Sequence, residues 1–294
     1  MEAEMVVTTD WAPRFRKAGY AGPRLAVSTL IVLLLVGPGL PDWAGLVLFY
    51  GGLTVVMLLL AGVGESIAVR VLFGARKLTE SERTGLAAVM GELCYLELGP
   101  PLIEVFVTRR RGAPASAARG RRSVVLAAEL VHGILTGQLP HREAVAVLAH
   151  ASLITRCGLT RQDPAIAFWS TPWRLLAVLG RPLHGLLGFA WKVRFVVVGI
   201  AIWQSLTNSS PSYGPLVASA LALLLGLTYL VPHWTASWEK HLYGTGDREV
   251  TSLGLGPATA AFLRRYPQTP PIIERIQQLD PPIQQRPHLR VVGA

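Results

Sequence analysis

The sequence predicts an α+β protein, mainly helical, with four transmembrane helices in two hairpins and a cytoplasmic region that carries a small β-sheet. Hydrophobic residues make up 51% of the 294 residues and charged residues only 16%. An ordinary soluble domain carries about a quarter charged residues. Long uncharged apolar runs occur in two pairs, and a short loop joins the members of each pair. The composition therefore excludes an ordinary soluble domain and favours a membrane protein.

The first pair of apolar runs follows a basic N-terminal tail. Residues 25–41 and 43–64 carry no charge, and the two runs meet at Pro41-Asp42. Each run is close to the roughly 20 residues that cross a bilayer core. A cleaved signal peptide is disfavoured because a second apolar run follows at once. We therefore expect residues 1–64 to form the tail and the first hairpin.

Residues 65–191 are expected to form a polar domain of helices and strands. Thr79 is followed by acidic residues, which predicts the start of a helix that runs to about Leu98. Residues 102–108 and 123–128 read as strands. Residues 139–157 carry apolar side chains at three- and four-residue spacings, which predicts a helix.

The second hairpin is expected at residues 192–232. Its two apolar runs, 195–206 and 215–231, are joined by a loop without charge. The remainder, 233–294, is polar and ends in a segment rich in Pro and Gln. It is expected to complete the polar domain.

Basic residues predict the orientation of the chain in the membrane. The hairpin loops at 41–42 and 207–214 contain no Lys or Arg, whereas basic residues flank the other ends of the runs. Basic residues favour the cytoplasmic side. We therefore expect an integral protein of a bacterial cytoplasmic membrane, with both termini and the polar domain cytoplasmic. Two cysteines form no disulfide framework, in agreement with a reducing compartment.

The segment between the two predicted strands is strongly basic. It contains six arginines: Arg109, Arg110, Arg111, Arg119, Arg121 and Arg122. Two interpretations stay open: a solvated loop, or docking on anionic lipid headgroups, which contributes about 1 kcal/mol per basic residue. Nucleic acid is not expected as a partner, because the segment lacks interleaved aromatic residues and any recognition module.

Four sequence patterns point to a known family. They are GIL, LP and EAVAVLAH within 133–150, the strand at 123–128, DR through LGLG at 247–256, and TPPIIERI at 269–276. In their order and spacing they resemble the HtpX-like and CAAX-prenyl-protease type of membrane zinc metallopeptidase.

The resemblance implies a zincin-like cytoplasmic domain between and after two membrane hairpins, with the zinc-binding helix at 139–157. It also implies that one strand forms the edge of the sheet and captures an extended peptide by backbone pairing. The residues of that strand are Ser123, Val124, Val125, Leu126 and Ala127.

The departures from the family pattern fall on its catalytic positions. In H-E-x-x-H, two imidazoles bind zinc and the glutamate is the general base. Here His150 stands at the first ligand position and Ala151 at the base. Ile154 stands at the second ligand position, and Tyr243, four residues before Asp247, at the third. A catalytic zinc needs three protein ligands and an open position, and loss of the base costs about 10² to 10⁴ in rate. No catalytic residue and no cofactor are therefore expected.

The predicted function is that of a pseudoprotease, which binds or scaffolds a protein partner or an extended peptide segment at the membrane. One alternative is an active metalloprotease with an atypical metal site centred on His150. Cys157, Glu239 and His241 are the other candidate ligands, and zinc is expected only under this alternative. A second alternative is a structural subunit of a membrane complex.

Overall fold

The computed structural model describes residues 11–36, 41–99, 102–110, 112–179, 199, 203 and 230–281. The predicted second hairpin lies almost entirely outside the described residues, as do Arg111 and the end of the Pro/Gln-rich tail. The chain divides into two compact units. The first consists of Met1–Met57 and Ala165–His241, and the second of Leu58–Pro164 and Leu242–Ala294.

The first unit begins with α1, Trp11–Val36, and contains most of α2, Asp42–Ala61, whose last four residues belong to the second unit. Helix α1 begins inside the segment predicted to be a tail, so the run at 25–41 contributes its second half. Helices α8, Asp163–Trp169, and α9, Thr171–Leu179, follow later in the chain. The indole N–H of Trp169 donates a hydrogen bond to the Thr29 hydroxyl at 2.8 Å, which ties α8 to α1.

One helix in the described part of the chain is long and apolar enough to cross a membrane. It is Trp43–Ala61, within α2, with a mean hydropathy of 2.2 and 6% of its apolar window buried. Such an exposed apolar surface is compatible with a lipid environment. Because residues 37–40 and most of 195–231 are not described, the other three predicted spans stay predictions.

The second unit contains a four-stranded mixed sheet in the order β1-β2-β4-β3. Its strands are β1, Ala75–Lys77, β2, Glu104–Thr108, β3, Ser116–Ala118, and β4, Ser123–Ala127. Strands β2 and β4 are parallel, with Glu104 opposite Ser123, and the outer pairs are antiparallel. The strand predicted at 102–108 is confirmed in position and begins two residues later.

The prediction that Ser123, Val124, Val125, Leu126 and Ala127 form an edge strand is wrong. Strand β4 pairs with β2 along its whole length and with β3 on its other side, so both of its backbone edges are occupied. All five residues are buried. The edges of this sheet are β1 and β3.

The remaining helices of the second unit pack on this sheet or on one another. They are α3, Glu65–Leu72, α4, Glu80–Gly85, α5, Ala87–Tyr95, α6, Ala128–Leu135, α7, His141–Arg156, α11, Gly256–Leu263, and α12, Pro270–Leu279. Helix α10, Val231–Ser252, belongs to both units.

The core of the second unit lies between the sheet and α7. Helix α7 confirms the helix predicted at 139–157. Its twelve consecutive residues from Ala144 to Thr155 are buried. Val107, Val124 and Leu126 belong to the same cluster as α7. Phe106 and Val125, which alternate with them along the strands, pack on α3 through Val69. The fold is thus mainly helical with a small mixed sheet.

The helix predicted from Thr79 to about Leu98 is two helices. Thr79 caps α4 as predicted: its hydroxyl accepts from the Glu82 N–H, and the Glu82 carboxylate accepts from the Thr79 N–H. The chain breaks at Leu86 and continues as α5. Helix α4 has no buried residue, whereas Leu86 is fully buried. The break therefore separates a surface helix from one that packs in the core.

Candidate functional site

The candidate site is built around His150, in the middle of α7, a residue that is 7% exposed in the fold. Helix α10 contributes Tyr243 and Asp247, which are one helical turn apart and so lie on one face. Helix α12 contributes Arg275. Each of these three helices belongs to the second unit at the positions concerned.

Asp247 is the centre of the hydrogen-bond network. Its Oδ1 lies 3.0 Å from His150 Nε2. The Arg275 guanidinium donates to both carboxylate oxygens, at 2.7 and 2.8 Å. Arg275 also lies 3.5 Å from His150 Nε2, a longer contact than the one to Asp247. Since a guanidinium has no acceptor and the carboxylate no donor, we assign the imidazole proton to Nε2, where it is donated to Asp247.

Tyr243 closes the site from the side of α10. The Arg275 guanidinium lies over its ring at 4.7 Å from the centroid. The His150 ring stacks against the same tyrosine, with centroids 6.2 Å apart and an interplanar angle of 20°. The aromatic ring thus contacts both nitrogen groups that bind Asp247, and the cation–π contact adds to the attraction of the carboxylate for Arg275.

The charge of Asp247 is held in place by its partners. Burial by itself would raise the pKa of this carboxyl. Hydrogen bonds from Arg275 and His150, with the positive charge of Arg275, outweigh burial, so the pKa lies below its usual value. The Asp247–Arg275 pair is therefore ionised, with the carboxylate buried and the guanidinium partly exposed.

Gly246 lets α10 approach α7 at this point. A Cβ atom at Gly246 would lie 2.6 Å from His150 Nε2 and 2.9 Å from Ile154 Cγ1, closer than real Cβ contacts. Only glycine fits without displacing one of the two side chains. The pairing of His150 with Asp247 thus depends on the residue that precedes Asp247.

The donor set does not fit the zinc that the family resemblance implies. Ala151 and Ile154 are buried in α7 and carry no ligating atom. The two oxygens of Asp247 already accept from a guanidinium, whose positive charge opposes a second cation at the same carboxylate. In the described part of the chain, no group of three or more His, Cys, Asp or Glu residues could hold a metal.

The other candidate ligands lie in different surroundings. Cys157 caps the C-terminus of α7 and is exposed. It lines a cavity of about 280 Å³ together with Glu249. Glu239 is exposed on α10. His241 packs against Trp238, with ring centroids 5.9 Å apart.

The arginines of the basic segment have different roles. Arg109 and Arg110 are exposed after β2, and the Arg122 side chain is exposed at the start of β4. Arg119 pairs with Asp163 at 3.9 Å and lies over the Phe73 ring. Arg121 donates to the Leu60 carbonyl at the end of α2. Two of the described arginines are therefore engaged with the protein itself.

Sequence reasoning missed the central feature of the site. The family pattern marked Asp247 and matched TPPIIERI, which contains Arg275, but nothing predicted that both would meet His150. Arg275 is 28 residues from Asp247 and 125 from His150. No local signal encodes a contact over such separations. The one available hint was that Asp247 and Arg275 both belonged to patterns that carry the family resemblance.

Comparisons with protein-family models, with curated proteins and with solved structures find no match to this chain.

Proposed function

We propose that this protein is a catalytically inactive membrane metallopeptidase homologue that binds a protein partner at the cytoplasmic face of the membrane. The observation that carries the proposal is the buried network of His150, Asp247 and Arg275. If the chain descends from a zinc peptidase, Arg275 has taken the place of the metal: its guanidinium neutralises the Asp247 carboxylate and contacts the His150 imidazole.

The proposal has a chemical and a membrane part. Zinc hydrolysis needs three ligands, an open position and a base. The corresponding residues supply one imidazole, and Ala151 carries no base.

The apolar helix α2 and the basic residues at the outer ends of the predicted hairpins support membrane insertion with both termini and the polar domain cytoplasmic.

The binding surface we propose is the outer edge of β3, where Ser116 is half-buried and Ala118 is buried. The Ala115 carbonyl accepts a hydrogen bond from the Ala127 N–H of β4, and the Arg119 N–H donates to the Ser123 carbonyl. Because antiparallel pairing alternates, the backbone groups of Ser116 and Ala118 point away from β4. No described residue bonds to those groups. An extended segment of a partner protein could add to the sheet there by backbone pairing.

One observation favours the alternative of an atypical metal site. Metal-binding histidines commonly donate their second ring nitrogen to a carboxylate, and His150 donates to Asp247. In this alternative the other nitrogen of His150 would bind the metal.

Metal content separates the two functions. We expect elemental mass spectrometry of the detergent-purified full chain to find zinc far below one atom per chain, with the same value for His150→Ala. About one zinc per chain that disappears in His150→Ala would refute the proposal and favour an active protease.

Peptide binding tests the β3 edge. We expect fluorescence anisotropy to detect binding of extended peptides without turnover, and Ser116→Pro to weaken it because proline removes the outward N–H. Ser116→Ala is the matched control, since both variants lose the hydroxyl that bonds to the Val147 carbonyl. Equal binding by the two variants would exclude this edge.

A further inference from the structure

A cleft of about 490 Å³ opens in the second unit where α2 ends. It lies between the start of α3 and the start of β4. Its lining includes Gly62, Ser66, Ile67, Glu104, Arg121 and Arg122. The cleft is separate from the His150 site, and the proposed peptide-binding role does not use it.

One wall of the cleft is fixed by Glu65. Its carboxylate accepts hydrogen bonds from the backbone N–H groups of Arg121 and Arg122, each at 3.0 Å, and from the Ser123 hydroxyl at 2.6 Å. Three donors satisfy this carboxylate, so Glu65 acts as a structural group. The start of β4 is thereby attached to the residue that opens α3.

Arg121 fixes the opposite wall. Its guanidinium donates to the Leu60 carbonyl and so caps the C-terminal end of α2. Gly62 permits the close packing: its φ is +91°, and a Cβ there would lie 3.1 Å from Arg121 Cδ. Arg121 Nε is buried and has no hydrogen-bond partner among the described residues. A buried donor without an acceptor is costly, so this wall of the cleft lacks one hydrogen bond.

The charges of the lining balance. Two arginines, Arg121 and Arg122, are matched by two glutamates, Glu65 and Glu104. Glu65 is satisfied by its three donors, whereas the side chains of Arg122 and Glu104 are exposed. No ion pair joins these two within the described residues. A cationic and an anionic group therefore remain available in one cleft of zero net charge, which matches a zwitterion better than an anion.

The cleft lies at the depth of the lipid headgroups if α2 spans the membrane. Ala61, the last residue of α2, is part of its lining. Val63, Ile67 and Val71 follow at four-residue spacing and are 58%, 60% and 74% exposed. On the other side of α3, Ala68 and Val69 are buried in the fold. An exposed apolar stripe directly after a membrane helix is typical of a helix in the lipid interface.

We infer that the cleft binds the phosphoethanolamine headgroup of a membrane phospholipid. The phosphate accepts hydrogen bonds from Arg121 and Arg122, and the primary ammonium donates to Glu104. The stripe of α3 contacts the acyl chains beside it. A choline headgroup has no N–H to donate, and glycerol carries no positive charge for Glu104. This inference rests on the membrane insertion in the proposed function.

Native mass spectrometry of the full chain in detergent tests the inference, with phosphatidylethanolamine, phosphatidylcholine and phosphatidylglycerol added at equal concentration. We expect the ethanolamine lipid to be retained most strongly. Arg122→Gln should weaken its retention about tenfold, as expected for loss of a charge-assisted hydrogen bond. Glu104→Gln should abolish the preference over phosphatidylcholine.

Arg109→Gln is the matched control, because Arg109 is an exposed arginine that does not line the cleft. It should retain the three lipids as the unmodified chain does. Equal retention of all three lipids by the unmodified chain would overturn the inference. A preference for phosphatidylglycerol that Glu104→Gln leaves unchanged would overturn it as well.

Extraction of membranes with alkaline carbonate separates failure of the site from failure of the proposed function. Release of the chain would refute membrane insertion and the lipid site together. A chain that resists extraction but shows no preference for the ethanolamine lipid would refute the site alone. Glu104 and Arg122 are exposed, so the melting temperatures of their variants should match that of the unmodified chain.

Discussion

Arg275 binds both carboxylate oxygens of Asp247, at 2.7 and 2.8 Å, and so joins α12 to α10 beside His150. A bidentate guanidinium fixes the position and the angle of its partner. Asp247 is only 4% exposed, whereas the Arg275 side chain is 21% exposed. Removal of Arg275 would leave the charge of Asp247 buried without its guanidinium partner, which costs more than the intact pair contributes.

Arg275→Met should therefore lower the free energy of unfolding by about 3 to 5 kcal/mol. Arg264→Met is the control, because Arg264 pairs with Asp280 at an exposed position and such pairs contribute about 0 to 1 kcal/mol. Chemical denaturation of the detergent-solubilised chain measures both values. Similar losses for the two variants would show that the Arg275 pair is not buried.

Gly246→Ala should destabilise the protein by about 1 to 3 kcal/mol, because the added Cβ overlaps His150 and Ile154. Gly244→Ala is the matched control in the same helix, where a Cβ would meet no described atom within 4 Å. That variant should raise stability slightly, since alanine favours helix over glycine by about 1 kcal/mol. Thermal unfolding of both variants tests this, and a stabilising Gly246→Ala would contradict the close approach of α10 to α7.

The pH dependence of stability should include a contribution from Glu82. A hydrogen bond from Arg76 lowers the pKa of this carboxyl to about 2, against the opposite effect of burial. Because its pKa in the unfolded chain is about 4.3, the contribution is complete above that value and is lost as pH falls towards 2.

Glu82→Gln should therefore reduce stability at neutral pH and flatten its dependence between about pH 5 and pH 2. Glu80→Gln is the control, since the Glu80 side chain is 81% exposed. The free energy of unfolding, measured across this pH range, distinguishes the Glu82→Gln variant from the Glu80→Gln variant. A slope in Glu82→Gln as steep as in the unmodified chain would argue against the Arg76 contact.

A metal chelator should leave the melting temperature of the purified chain unchanged. The packing of α7 and the Asp247–Arg275 pair hold the site together without a metal ligand set. A metal that bound only the folded state would stabilise it by mass action. A decrease of several degrees on chelation, absent in His150→Ala, would indicate a metal at His150.

Features of this fold that depend on residues close together in the chain were predictable from the sequence. The Thr79 cap depends on residues three positions apart, and α7 on an apolar spacing within one helix. The error at β4 has a different origin. Whether a strand is an edge depends on its neighbours, and β3 is a Ser-Ala-Ala segment without the β-branched residues that signal a strand.

The candidate site was predictable only in part. Ile154 and Tyr243 could be marked as altered ligand positions, and His150 as the ligand that is kept, because the pattern assigns each of them by count along the chain. What replaces the ligands could not be predicted, since Arg275 reaches Asp247 through the packing of α12 on α11 and of α11 on α7. Tertiary packing of three helices decides which side chain fills the site.

Glu65 follows the last residue of α2 by four positions, and its three hydrogen-bond donors lie 56 to 58 residues further along the chain. During synthesis, α2 therefore leaves the ribosome before β4 exists as a partner. The apolar helix is thus made first, and the strand that carries the three donors to Glu65 is made afterwards.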